Sequence, residues 1–142
     1  MVITNADEND YAALKEILEN IKDEDKNIKN MPLYSIEFNN VDYDIIKVVN
    51  KHGRIVGFLV AKPYLEMVDI LGAVVEKDYR NKGVGKRLFF AIEHLYPTLD
   101  LIIKTPTSIP KNIAFYKSLG YLESKSGRFV CEPGIMCFEK IR

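Results

Sequence analysis

Arg80, Lys82, Gly83, Gly85, Lys86 and Arg87 lie within one short stretch, Val74 to Phe89. Cations and glycines at this spacing suit the holding of an anion. A helix N-terminus leaves its first N–H groups unpaired and carries partial positive charge. Glycine there removes the Cβ that would keep an anion away from the backbone, so a phosphate or pyrophosphate is expected. Two familiar phosphate loops fail on spacing. The dinucleotide pattern G-x-G-x-x-G asks for a small residue at position 88, which is Leu88. The P-loop asks for Gly at 80 and Ser or Thr at 87, which are Arg80 and Arg87. What stands is Arg80-x-x-Gly83-x-Gly85.

The elements that must position this loop follow from hydrophobic period. An apolar run, Ile70 to Val75, leads into a charged turn, Glu76 to Lys82. Apolar residues at Val84, Leu88, Ile92 and Leu95 then mark a helix from Gly83 to Tyr96, ended by Pro97 and Thr98. Leu99 to Lys104 reads as a strand, so strand, crossover helix and strand imply a parallel pair between 70–75 and 99–104. The loop Thr105 to Pro110 precedes Asn112-x-x-Ala114-Phe115-Tyr116-Lys117-x-Leu119-Gly120-Tyr121. Pro110 suits a first helical turn and Gly120 the residue that ends a helix. Taken alone, that helix packs on a core, with Tyr116 a half-buried aromatic and Asn112 a first-turn polar residue.

Upstream, Val2 to Thr4 is a short strand, and Thr4, Asn5 and Asp7 are cap candidates. Tyr11, Leu14, Ile17, Leu18 and Ile21 define one face of a helix from Glu8 to about Ile21. Lys22 to Asn30 is polar, and reads as a surface loop, a short helix or a lid over a substrate. Leu33 to Phe38 is irregular or strand-like. Tyr43–Val49 and Arg54–Ala61 form a hairpin around Asn50-Lys51-His52-Gly53, with Lys62-Pro63-Tyr64 breaking the second strand. Glu66 to Val75 is the next strand, antiparallel to it. Tyr121–Cys131 and Ile135–Ile141 are two final strands around Glu132-Pro133-Gly134.

The sequence of 142 residues is near the modal size of one domain and shows no repeat or linker, so residues 1–142 are read as a single domain. With 20 basic and 20 acidic residues the net charge is close to zero, which argues against a nucleic-acid partner. The cluster Lys77, Arg80, Lys82, Lys86 and Arg87 is interrupted by Glu76 and Asp78 and has little aromatic interleaving. No apolar run spans a bilayer and no signal peptide opens the chain, so no membrane partner and a cytoplasmic location are expected. Cys131 and Cys137 fit reduced thiols in that compartment, although sequence does not exclude a disulfide. His52 and His94 are far apart and no Cys-x-x-Cys occurs, so no metal is expected.

Arg80-x-x-Gly83-x-Gly85 after a strand resembles the pyrophosphate motif of the GNAT superfamily, the acetyl-CoA-dependent N-acetyltransferases. Asn112 to Tyr121 resembles the second signature of that family, at the expected distance and with one strand between. The resemblance extends over essentially the whole chain. It implies an α/β (α+β) fold: a mixed, mostly antiparallel central sheet flanked by helices, with one splayed parallel strand pair. It implies acetyl-CoA as acyl donor, CoA as product, and a primary amine as acceptor attacking directly in a ternary complex. Carried over, Ala73, Val74 and Val75 offer backbone partners to pantetheine. The N–H groups from Asn81 through Lys82, Gly83, Val84 and Gly85 to Lys86 bind the pyrophosphate, next to Arg80. Asn112 contacts the pantetheine arm or a phosphate, and Phe115 lines the cofactor side.

Tyr116 matches the family tyrosine beside the sulfur, which implies a general acid; a phenol of pKa about 10 stays protonated at neutral pH. An amine of pKa about 10.4 must lose a proton before it attacks, so a base is needed. Asp69 corresponds to a glutamate base of some members, with Glu66 or a water as alternatives; alternation along a strand points Asp69 and Glu66 opposite ways. A backbone N–H near Val75 is placed to stabilise charge on the thioester oxygen. Retention of Tyr116 and an acidic strand residue favours an enzyme over a catalytically silent CoA-binding sensor. The acceptor is left open among small amines, amino acids, polyamines, antibiotics and protein N-termini or lysines. Asp23, Glu24, Asp25, Glu37, Asp42 and Asp44 would suit a cationic one, although a solvated face explains them equally. Acyl-chain length and a homodimer are also left open.

Overall fold

β-Branched and apolar runs become the strands of a computed structural model that describes residues 1–24, 31–125, 127 and 130–142. The strands are β1 (Val2–Asn5), β2 (Asp44–Val49), β3 (Ile55–Pro63), β4 (Met67–Val75), β5 (Asp100–Pro106), β6 (Leu122–Glu123) and β7 (Ile135–Lys140). The helices are α1 (Tyr11–Glu24), α2 (Val84–Leu95) and α3 (Pro110–Ser118). The strands form one seven-stranded sheet in the order β1-β2-β3-β4-β5-β7-β6. Every pairing is antiparallel except β4 with β5, where α2 supplies the crossover.

Side chains alternate faces along each strand, and two apolar layers result. Leu59 and Ala61 of β3 join Leu88, Phe89 and Ile92 of α2 on one face. Phe58 and Val60 join Leu14, Ile17, Leu18 and Ile21 of α1 on the other. The periodic faces read from the sequence are therefore the buried faces of both helices, except that Leu95, at the end of α2, is exposed. Asp7 caps the short 3-10 turn Glu8–Asp10 that opens α1, in a reciprocal box with Asp10.

The register between β3 and β4 passes from Val60↔Gly72 to Ala61↔Ile70, leaving Leu71 as an extra residue. Beyond that bulge β4 leaves β5. Parallel pairing covers only Met67↔Asp100 to Ile70↔Ile103, whereas β5 continues to Pro106 against β7. The expected pairing of 70–75 with 99–104 is thus corrected: the bulge turns β4 away before its last residues reach β5. From Leu71 to Val75, β4 is paired on one side, with β3.

Other expectations also change. β4 starts at Met67, and Glu66 lies exposed before it. β3 runs through Pro63, because at its last position the proline faces β4 as Val68's partner. Leu33–Phe38 is not a strand; Pro32–Ser35 forms a 3-10 turn, for which Pro presets φ at the first position. Lys22–Glu24 complete α1, and the expected loop, short helix or lid over 25–30, with Asp25, lies outside the described residues. Of the strand expected over 121–131, β6 keeps Leu122–Glu123, and positions 126 and 128–129 lie outside the described residues. Cys131 and Cys137 are joined in a disulfide rather than reduced. The turn closed by the Ile135 N–H on the Glu132 carbonyl, with Gly134 at φ 83°, brings their Cα atoms to 6.0 Å.

Gly72 marks where these constraints meet. Its φ is 152°, and a Cβ there would stand 2.9 Å from Cδ2 of the fully buried Leu33. Gly72→Ala should cost about 1–3 kcal/mol of stability through strain and overpacking, read by equilibrium denaturation. A change below 0.5 kcal/mol would show, at roughly that scale, that Leu33 and the bulge yield freely.

Candidate active site

The charged turn after β4 is built by local chemistry. Lys77–Tyr79 make a 3-10 turn, and the Arg80 Nε–H donates to the Val75 carbonyl at 2.8 Å, closing the loop onto the strand end. Asn81 stands at φ 61° and Gly83 at φ 81°, two left-handed residues that aim successive N–H groups toward one point. The first helical bond of α2 runs from the Arg87 N–H to the Gly83 carbonyl, so the N–H groups of Val84, Gly85 and Lys86 precede it. The loop picked out by spacing is therefore a turn at a helix start, whose Val84, Gly85 and Lys86 N–H groups precede the first helical bond and have no hydrogen-bond partner among the described residues.

Its cations divide. Arg80 and Lys86 wall the adjoining cleft. Lys82 is turned to its own loop, donating to the Asp78 carbonyl at 2.9 Å beside the Tyr79 ring. Arg87 stands off the cleft wall. Arg80 also meets a partner that spacing did not reveal: its Nη2 lies 2.9 Å from Oε2 of Glu24, in the last turn of α1.

The cleft has a volume of about 670 Å³, within the range of small-molecule sites. It follows the gap where β4 and β5 part. On the α2–α3 face it is walled by Ala73, Val75, Val84, Phe89, Phe115 and Tyr116. On the α1 face its walls are Ile21, Met31, Leu33, Tyr34, Val74 and Ile109. The slot thus connects both layers of the sheet. Asn112 lines it from the first turn of α3, with Nδ2 3.5 Å from Oγ1 of the buried Thr105. Phe115 meets Phe89 edge-on at 5.6 Å and sits against Gly85, where a Cβ would come within 3.4 Å.

Tyr116 is 6% exposed and packs between Phe89, Phe115 and Phe138. Burial pushes its phenol far above the usual tyrosine range, and the Tyr34 phenol across the slot pushes the same way. Asp69 is half-buried and shares no wall with the cleft. It points to the face opposite Val68 and Ile70, directly across from Lys62 of β3 and beside Ile102 of β5. Burial raises its carboxyl above the ordinary range, with Lys104 and Lys62 pulling back down. The remaining acidic residues of the N-terminal third, Asp23, Glu37, Asp42 and Asp44, line no part of the slot.

Sequence reasoning named Glu24 only among the acidity that would suit a cationic acceptor and missed its pairing with Arg80; it missed Leu33 and Tyr34 altogether. Glu24 follows Ile21 by three residues on the same side of α1, at its exposed end, which is a usable signal. Leu33 and Tyr34 lie in a stretch without period, and nothing local marks them.

A family model described as "Acetyltransferase (GNAT) family" matches residues 11–121. A search of curated proteins by sequence finds no match. Among solved structures, an acetyltransferase of the GNAT family from Staphylococcus aureus is similar at TM-score 0.76 and 19% identity, over 98% of this chain and 97% of that one. PaiA N-acetyltransferase from Thermoplasma acidophilum, in complex with coenzyme A, superposes at TM-score 0.75 and 17% identity over 100% of both chains. The ribosomal-protein-S18-alanine N-acetyltransferase from Escherichia coli gives TM-score 0.70 and 15% identity, over 97% and 91%.

The Glu24–Arg80 pair is about one-third exposed, so solvent screening holds its worth to no more than about 1 kcal/mol. An anion arriving at the loop meets that carboxylate as a competitor. Glu24→Gln should therefore tighten binding of inorganic pyrophosphate, as the probe anion, about two- to fivefold by calorimetric titration, the equivalent of up to about 1 kcal/mol. Weaker binding would instead make Glu24 the residue that holds the guanidinium in place.

Proposed function

The chain belongs to the acetyltransferase (GNAT) family, and on that premise we propose that it transfers an acetyl group from acetyl-CoA to a primary amine within a ternary complex. One observation carries the reading: a slot with an anion-binding helix start at one end crosses the sheet where β4 lies bare and passes the buried Tyr116. The residues suit acetyl-CoA. The N–H groups at Asn81–Lys86, with Arg80 and Lys86, match a pyrophosphate. The edge of β4 from Leu71 to Val75 matches an arm that carries amides, because alternate N–H and carbonyl groups of a strand face away from its paired neighbour. Asn112 and Phe115 wall the path between them.

Bound acetyl-CoA supplies an activated acetyl carbon whose transfer to nitrogen releases a thiol. The chain's residues do the rest. Tyr116 holds a proton at its Oη and presents it to the developing thiolate. Its raised pKa keeps the phenol protonated throughout the working range. A backbone N–H near Val75 receives the charge that develops on the carbonyl oxygen. Asp69 takes the proton from the amine, through a water because its carboxylate stands off the cleft wall.

Tyr116→Phe keeps the ring packing and removes the proton. It should lower kcat about a hundredfold or more and leave acetyl-CoA affinity within about twofold, which stopped-flow turnover and calorimetry together would read. Full turnover with a good acceptor would remove Tyr116 as the acid.

Asp69 acts as the carboxylate, so kcat/KM should fall as pH drops through its folded pKa. Burial raises that pKa, so the acidic limb should lie above the ~3.9 of an ordinary aspartate. Asp69→Asn should flatten the limb and lower the plateau. A profile that keeps its limb would transfer the base role to another group.

A further inference from the structure

We propose that the acceptor is a primary amine carried on an uncharged, apolar stem, with the stem seated against Met31, Leu33, Tyr34 and Ile109 at the α1 end of the slot. The inference rests on the acetyltransferase reading above and names the acceptor class for the same site.

The walls of the slot differ in chemistry. Three cations line the slot, Arg80 and Lys86 by the start of α2 and Lys111 in the first turn of α3. The wall that comes from the α1 layer, Ile21, Met31, Leu33, Tyr34 and Ile109, is apolar apart from the Tyr34 phenol, and Glu24 at the end of α1 is paired with Arg80. Tyr116 and Tyr34 both line the slot, one from the α2–α3 face and the other from the α1 face. The donor's anionic part belongs with the cations, so the acceptor approaches from the Tyr34 side.

What could hold a charged acceptor there? Among the described residues lining the slot, Glu24 is the one carboxylate, and Arg80 already holds it at 2.9 Å. Asp44 serves a separate small pocket, where the Tyr96 hydroxyl donates to it. Among the described residues, Asp23, Glu37, Asp42 and Asp44 line no part of the slot, and Asp25 lies outside the described residues. A polyamine or an aminoglycoside-like molecule would carry further ammonium groups onto an apolar wall and lose their hydration without a counter-charge. A hydrocarbon or aryl stem would instead lose surface that water disfavours, gaining about threefold to fourfold in affinity per buried methylene.

Leu33 packs onto Gly72, so the wall of the slot at the bulge is the Leu33 side chain rather than strand backbone. The reacting amine then reaches Tyr116 across the slot while the stem remains on the α1 side.

The test uses the full chain with saturating acetyl-CoA and follows thiol release. The acceptors are n-alkylamines from propyl to hexyl, phenethylamine, 1,6-diaminohexane and spermidine. We expect kcat/KM to rise about threefold to fourfold per methylene, and hexylamine to exceed 1,6-diaminohexane by about tenfold or more, the effect of one uncompensated charge. Met31→Glu, at a half-buried position on that wall, should reverse the preference toward the diamine. A flat series, a diamine or spermidine that equals hexylamine, or transfer to none of these amines would overturn the proposal. A calorimetric titration with acetyl-CoA on the same sample separates the two levels. Acetyl-CoA binding with the wrong amine preference fails the acceptor class alone, and absent binding fails the acetyltransferase reading itself.

Discussion

β4 and β5 share hydrogen bonds only as far as Ile70 and Ile103, and the rest of the architecture follows from that parting. A buried strand edge without partners is costly, because each unpaired backbone group forfeits its water. The fold meets the constraint in two ways. β5 turns its full length to β7 on its other side. β4 absorbs one extra residue at Leu71 and presents a bare edge to a slot rather than to packed side chains. The slot is lined by residues of both apolar layers.

The loop after β4 depends on the same departure. Arg80 is fixed to the carbonyl of Val75, the last residue of β4, so the turn that leads into α2 is anchored to the strand end. Asn81 and Gly83 then take left-handed conformations, and α2 starts with its donors facing the cleft. Glycine at 83 costs little in that region, whereas Asn81 is one of the few other residue types that tolerates it. Glu24 ties this turn to α1, so the helix that walls the far end of the slot is also linked electrostatically to its near end.

Local features of this arrangement are legible in the sequence, and long-range ones are not. The turn and helix start after β4 are written in glycine, cation and period within sixteen residues, 74–89, and α2 begins at Val84 where that pattern puts it. α3 is legible too, since Pro110 and Gly120 delimit it within one residue of its observed ends. The bulge at Leu71 is not, because an extra residue in a strand has no composition of its own. Gly72 is a trace of it, in a run otherwise free of glycine. Leu33 and Tyr34 are placed by the contact with Gly72 and by the α1 layer, which sequence spacing does not encode. The Cys131–Cys137 disulfide likewise depends on the reversal at Gly134, while compartment arguments from cysteine number address only the chance of oxidation.

On the proposed mechanism, the burial of Tyr116 creates a tension that its surroundings must resolve. A phenol in an apolar nest is a weaker acid than one in water, and a thiol begins near pKa 8.5, below it. Complete proton transfer from Tyr116 to a thiolate is therefore uphill if both groups are treated as solvated. The same apolar walls, Phe89, Phe115 and Phe138, change the balance, because a thiolate formed beside them is also denied hydration and its pKa rises as well. A phenol that donates a strong hydrogen bond as charge develops, and passes the proton only when the sulfur is fully desolvated, satisfies both requirements. Packing on three rings keeps its Oη in one place while this happens, which a solvent-exposed acid could not do. Tyr116 is thus suited to the end of the reaction, and the apolar slot that raises its pKa is the same feature that makes its proton useful.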